Sequence, residues 1–103
     1  MGEFQLKKEE SLRIAAPILY KRMIETFEKS NIHPYDAHGT IVKMQDCLEI
    51  TIRLSNSFTE IARTKISLEQ AKQPDENLTY FFEQAAEKCK NQLITDYFKM
   101  IKL

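Results

Sequence analysis

The sequence predicts a small α+β fold, a three-stranded antiparallel meander with an N-terminal and a C-terminal helix packed on one face. Three observations carry that expectation. Leu48, Ile50, Ile52 and Leu54 alternate with Cys47, Glu49, Thr51 and Arg53, which is the two-residue period of a strand with one apolar and one wet face. On either side of this stretch, apolar residues recur at spacings of three and four, the period of an amphipathic helix. A small sheet that is apolar on one side has to bury that side, and the two helical stretches are the only material for it.

Residues 1–7 read as a frayed start in which Phe4 and Leu6 lie near the core. From Lys8 to Ser30, Leu12, Ala16, Leu19, Met23 and Phe27 form a stripe that Ala15, Tyr20 and Ile24 widen. Pro17 interrupts it, so the expectation is one helix kinked at Pro17, with a start near Ala15 as the alternative. Ser30-Asn31 ends the helix, and residues 32–39 form the longest irregular connection, which releases the chain into the first strand at Gly39.

Ile41 to Met44 is the first strand. A two-residue loop at Gln45-Asp46 would set Lys43 against Leu48 and Val42 against Glu49. A three-residue loop, Gln45-Asp46-Cys47, pairs Met44 with Leu48 and Val42 with Ile50, which keeps the apolar face intact and predicts the latter register. Ser55-Asn56-Ser57 is a turn by composition, and Ala62, Thr64, Ile66 and Leu68 alternate with Arg63, Lys65 and Ser67 as a third strand. Ser57-Phe58-Thr59-Glu60 also fits a helix capping box, but the β-branched content of the run favours the strand. Asp75 is placed to cap a last helix that runs to about Lys102 on Leu78, Phe81, Phe82, Ala85, Cys89, Leu93, Tyr97, Phe98 and Ile101.

A length of 103 residues predicts a single domain spanning 1–103 with one modest core. Fifteen basic residues balance fifteen acidic ones, and the balance nearly holds within each third of the chain. A domain bound to nucleic acid through phosphates usually carries a basic excess, so the balance weighs against that class. No signal-like or membrane-spanning run occurs, and Cys47 and Cys89 stand 42 positions apart in no ligand spacing. A cytoplasmic protein with reduced thiols, without cofactor or membrane association, is the expectation.

His33, Asp36 and His38 are the candidate metal ligands, because two imidazoles and a carboxylate fall within six residues. Their spacing matches no established ligand pattern, and the reading adopted is a solvated connection. Cys89 sits on the apolar stripe as a small buried residue, and Cys47 sits at a turn. In the predicted register the outer sheet face carries Ile41, Lys43, Glu49, Thr51, Arg53, Ile61, Arg63 and Lys65, four basic residues against one acidic. Lys43, Arg53, Ile61, Arg63 and Lys65 are therefore the candidate partner-binding residues. With no catalytic constellation or phosphate loop in the pattern, the expectation is a protein-interaction or regulatory module without catalytic activity: an adaptor, inhibitor or accessory subunit of bacterial or phage type, or a homodimer. Weak nucleic-acid binding through the basic sheet face is the alternative.

Overall fold

In the computed structural model, which describes residues 8–33, 35–55 and 57–101 with side chains through Tyr97, the chain is a mixed α+β structure built on a four-stranded antiparallel sheet. In chain order the elements are β1 (Glu9–Ser11), α1 (Leu12–Ala15), α2 (Pro17–Lys29), β2 (Ala37–Lys43), β3 (Leu48–Leu54), β4 (Glu60–Ile66), α3 (Leu68–Lys72) and α4 (Glu76–Ile101). The strands lie side by side in the same order. Phe4, Leu6, Pro34, Asn56, Lys102 and the side chains of Phe98 and Ile101, all given places above, lie outside the described residues.

The first helical stretch is not one kinked helix. Proline pushes the residue before it out of the helical region, and Ala16 accordingly sits at φ −145°, ψ 75°. Pro17 then opens α2 at a position where its missing N–H removes no bond. Upstream, a single helical turn, α1, follows a short fourth strand that pairs Glu9 with Val42, Glu10 with Ile41 and Ser11 with Thr40. Leu12, Leu19, Met23 and Phe27 are all buried, which explains why the stripe reads continuously across a break in the backbone. At its far end α2 closes with Asn31 in the left-handed region, φ 62°, which asparagine tolerates. Ile32 N–H donates to Phe27 O at 2.9 Å and Asn31 N–H to Glu28 O at 3.0 Å, the paired bonds of a Schellman ending.

The register between β2 and β3 corrects the expected one. Lys43 pairs with Leu48, Val42 with Glu49 and Ile41 with Ile50, and Met44 N–H donates to Cys47 O at 2.8 Å around a tip at Gln45-Asp46. The strand also begins earlier than the composition suggests, at Ala37, so that Ala37, Gly39 and Ile41 share a face with Leu54, Ile52 and Ile50. Packing decides this. A Cβ built on Gly39 would stand 3.0 Å from Met23 Sδ and 3.1 Å from Leu12 Cδ2, so the helices approach the sheet over its smallest residue. Val42 and Met44, which the alternation assigns to the core, are only half-buried, while Ile41 is buried.

β4 is a strand, and a bulge sets its phase: Ile52 pairs with Ala62 but Arg53 with Glu60, which leaves Ile61 as the extra residue. Phe58 closes the turn before it at φ 57°, donating its N–H to Leu54 O at 2.8 Å. The strand ends at Ile66 and does not run on to Leu68 as the alternation suggests; Leu68 instead opens α3. Its capping box has Gln70 N–H donating to Ser67 Oγ (3.1 Å) and Ser67 N–H to Gln70 Oε1 (2.9 Å). Asp75 caps α4 as its sequence position predicts, accepting from Leu78 N–H at 3.0 Å. Ile50, Ile52 and Leu54 share one core with Leu19, Met23 and Phe27 of α2 and with Leu78, Phe82 and Cys89 of α4. Arg22 Nη1 donates to Thr79 Oγ1 at 2.7 Å and ties the two long helices together.

Candidate functional site

The opposite face of the sheet differs from the basic surface that the sequence suggests, because register, bulge and the fourth strand each change its membership. Ile41 and Lys43 belong to the helix side, as partners of Ile50 and Leu48. Ile61, turned by the bulge, packs against the core beside Lys88, Asn91 and Gln92 of α4. Arg53, Arg63 and Lys65 remain on the outer face. β1 brings Glu9 onto it, where Glu9 Oε2 accepts from Thr40 Oγ1 at 2.6 Å and from Arg53 Nη1 at 2.7 Å. These two bonds, the Thr40 hydroxyl first and the Arg53 guanidinium second, hold the Glu9 carboxyl below its ordinary pKa. Arg63 Nη2 donates to Glu60 Oε1 at 2.6 Å and its Nη1 lies 4.0 Å from Glu49 Oε1, while Lys65 stands opposite Glu49. Carboxylates thus accompany the cations across the face, and Thr40 and Thr51 are buried beneath them.

A different feature stands out at the end of the sheet where β2 turns into β3. A groove of about 570 Å³ is lined by Ala15, Ala16, Pro17 and Ile18 from the α1–α2 junction, by Leu68, Ala71 and Lys72 of α3, by Ile41, Lys43 and Leu48 of the sheet, and by Glu10 of β1. Its origin is local. At the backbone break three consecutive small or rigid residues, Ala15, Ala16 and Pro17, form one wall. The capping box then holds α3 across from them, steadied by Gln70 Nε2 donating to Asp75 Oδ2 at 3.1 Å. Among the described lining residues only Glu10, Lys43 and Lys72 carry polar side chains, so the groove suits aliphatic or aromatic groups flanked by charge. Ile18 is 56% exposed and Leu68 52%, and Ile14, in α1 on the other side of the break from Ile18, is 79% exposed.

The sequence singles out none of these three as a site residue. Ile14 and Ile18 are four apart and off the stripe of Leu12, Leu19, Met23 and Phe27, and an apolar pair on the wrong side of a helix is the available signal. Of the residues that the sequence does single out, Lys43 and Ile41 line the groove, Lys43 alone as a charged group.

His33, Asp36 and His38 are not brought together as a ligand set. His33 N–H donates to Asp36 Oδ2 and Tyr35 N–H to His33 Nδ1, each at 3.2 Å, which makes the first two part of a turn. His38 lies in β2 opposite Arg53. Among the described residues no three His, Cys, Asp or Glu side chains converge on a point where an ion could sit. Cys89 is fully buried, and burial, with a smaller contribution from the Asp36 charge, pushes its thiol up to about 11. Cys47 is half-buried, its Sγ 4.0 Å from Met44 Sδ. Among the described residues no helix is long and apolar enough to cross a membrane.

No protein-family model, no curated protein and no solved structure matches this chain.

Proposed function

We propose that the protein is a small, non-catalytic interaction module, an adaptor or accessory subunit, that receives apolar side chains of a protein partner in the groove between the α1–α2 junction and α3. The observation that supports this most is the half-exposure of Ile18 and Leu68 on the two sides of an apolar channel. Single exposed aliphatic residues are ordinary on protein surfaces, but a concave apolar patch with a charged rim is the usual shape of a docking site. Fully covering a side chain of this kind is worth about 1.5–3 kcal/mol, so two or three of them supply a useful fraction of a binding energy. Lys43, Lys72 and Glu10 on the lining would set the orientation of the bound segment. Nucleic-acid binding through the sheet is the weaker reading, because Arg53 and Arg63 already donate to carboxylates.

The test compares the immobilised wild-type chain with an Ile18→Asp/Leu68→Asp variant of unchanged circular dichroism, both exposed to extract of the source cells. A stoichiometric protein held by the wild type and lost by the variant supports the groove. Equal retention by both overturns it. Light scattering on the same pair reads whether the partner is a second copy.

A further inference from the structure

We propose that the free edge of β4 is a second binding surface, and that it takes an extended acidic segment of a protein partner as a fifth strand. The edge shares no residue with the apolar groove and does not depend on it.

The two edges of the sheet are unlike. β1 is three residues long and carries Glu9 and Glu10, the short, charged kind of edge that discourages further pairing. β4 runs seven residues without a proline, and among the described residues no other segment bonds to its outer side. Every second residue of an edge strand directs its N–H and C=O outward, so β4 presents a row of unpaired donors and acceptors. Its inner flank is incomplete as well. Ile50 and Ile52 of β3 have no exposed surface, whereas Thr64 and Ala62 opposite them are only half-buried. The helices thus leave space beside β4 for one more row of side chains.

Charge decides what fits there. Ala62, Thr64 and Ile66 share the helix side with Ile52, Ile50 and Leu48, while Arg63 and Lys65 share the outer face with Thr51 and Glu49. A second copy of β4 is a poor partner. Antiparallel self-pairing with the faces in step sets Arg63 against Arg63, Arg63 against Lys65, or Lys65 against Lys65, unless the overlap shrinks to the bulged end at Ile61. Like charges directly opposed destabilise such a pair. A foreign segment with carboxylates at alternate positions turns the same two cations into attractions, and β-branched residues between the carboxylates meet Ala62, Thr64 and Ile66. Lys65 forms no ion pair among the described residues, and Arg63 bonds Glu60 through Nη2 while its Nη1 lies 4.0 Å from Glu49. Past Ala62 the path continues into a groove of about 310 Å³ between residues 59–61 and Lys88, Asn91 and Gln92 of α4, where Lys88 adds a third cation.

The probes are two end-blocked synthetic peptides, Thr-Val-Glu-Val-Glu-Val-Thr and its counterpart with lysine in place of both glutamates, titrated into the isotope-labelled chain and followed by NMR. The glutamate peptide is expected to slow the solvent exchange of alternate β4 amides. It should bind at least about threefold tighter than the lysine peptide, as two opposite-charge pairs in place of two like-charge pairs require. Arg63→Glu/Lys65→Glu should reverse that order; both side chains are exposed, and circular dichroism verifies that the variant folds. N-methyl groups on the glutamates and on the valines should differ in effect, one set abolishing binding and the other sparing it, because only alternate N–H groups of an added strand point at β4. No binding of either peptide, equal binding of both, or an equal response to the two sets of N-methyl groups overturns the proposal. Outward β4 amides already protected in the peptide-free chain, together with a dimer in light scattering, also overturn it, because a second copy then holds the edge. The groove is decided separately: the Ile18→Asp/Leu68→Asp variant leaves the edge intact and should bind the glutamate peptide as the wild type does.

Discussion

Replacing Gly39 separates the observed strand register from the one that simple alternation suggests, because the two predict opposite signs. In the structure Gly39 lies under α1 and α2. A methyl group there meets Met23 Sδ at 3.0 Å, Leu12 Cδ2 at 3.1 Å and Leu12 Cβ at 3.4 Å. Comfortable carbon contacts begin at about 3.5 Å, and both neighbours are fully buried, so each must shift within the core to admit the methyl group. Removing a glycine from a strand interior gains about 0.5–1 kcal/mol, whereas forcing extra volume into a packed core costs about 1–3 kcal/mol. Gly39→Ala is therefore expected to destabilise by about 0–2.5 kcal/mol net. Gly39→Val, with two further methyl groups against the same side chains, should approach the upper end of the overpacking range, about 3 kcal/mol. In the register that pairs Val42 with Ile50, position 39 faces outward and valine would instead stabilise the strand by up to about 1 kcal/mol. Urea unfolding at unchanged slope measures the difference, and in a domain of this size about 1 kcal/mol moves the thermal midpoint by about 4–8 °C. In a Met23→Ala background the penalty should shrink by at least about 0.5 kcal/mol, the coupling expected of touching residues. A Gly39→Val chain more stable than wild type, or strict additivity with Met23→Ala, would refute the packing account.

Glu9 and Cys89 provide two further checks. Because the Glu9 carboxyl titrates lower in the folded chain than in the unfolded one, the stability it contributes is present above the unfolded value and is lost as pH falls through the folded value. Thermal midpoints of wild type and Glu9→Gln should therefore converge as the solution is acidified through that window, the effect being reduced by the exposure of the pair; parallel curves would contradict the Thr40–Arg53 arrangement. Cys89, with its thiol pushed up to about 11 and no exposed surface, should resist iodoacetamide near pH 8 while Cys47 reacts, and should be labelled only on unfolding. Labelling of Cys89 as fast as Cys47 in the native chain would place it outside the core.

The secondary structure is legible where one local pattern dominates. The run Leu48 to Leu54, the cap at Asp75 and the stripe of α4 from Leu78 to Leu93 each satisfy both local propensity and burial, so the reading and the structure agree there, whereas Tyr97, read as part of the same stripe, is exposed. β1 is not legible: Glu9, Glu10 and Ser11 have no strand propensity, and they pair only because β2 offers an edge and Thr40 and Arg53 engage Glu9. The outer face fails for the same kind of reason. Its apparent basic excess depends on a register chosen from the apolar pattern of two strands, while the actual one answers to helices packed over Ala37, Gly39 and Ile41. As for the groove, Ile14 and Ile18 stand in view as an off-stripe pair, but the alternation assigns Leu68 to a strand, so nothing in the sequence connects them.

The amino-acid order by itself determined the class of this protein: an antiparallel sheet with one apolar face, two amphipathic helical stretches and balanced charge. Those properties depend on neighbours within a few positions, where backbone geometry and period leave little choice. Which residues face which way, and what they meet, was decided only in three dimensions. A single-residue shift of register exchanges the two faces of a strand, and the preference between the shifts lies in how closely Met23 and Leu12 can approach a backbone without a side chain, a quantity that no local pattern contains.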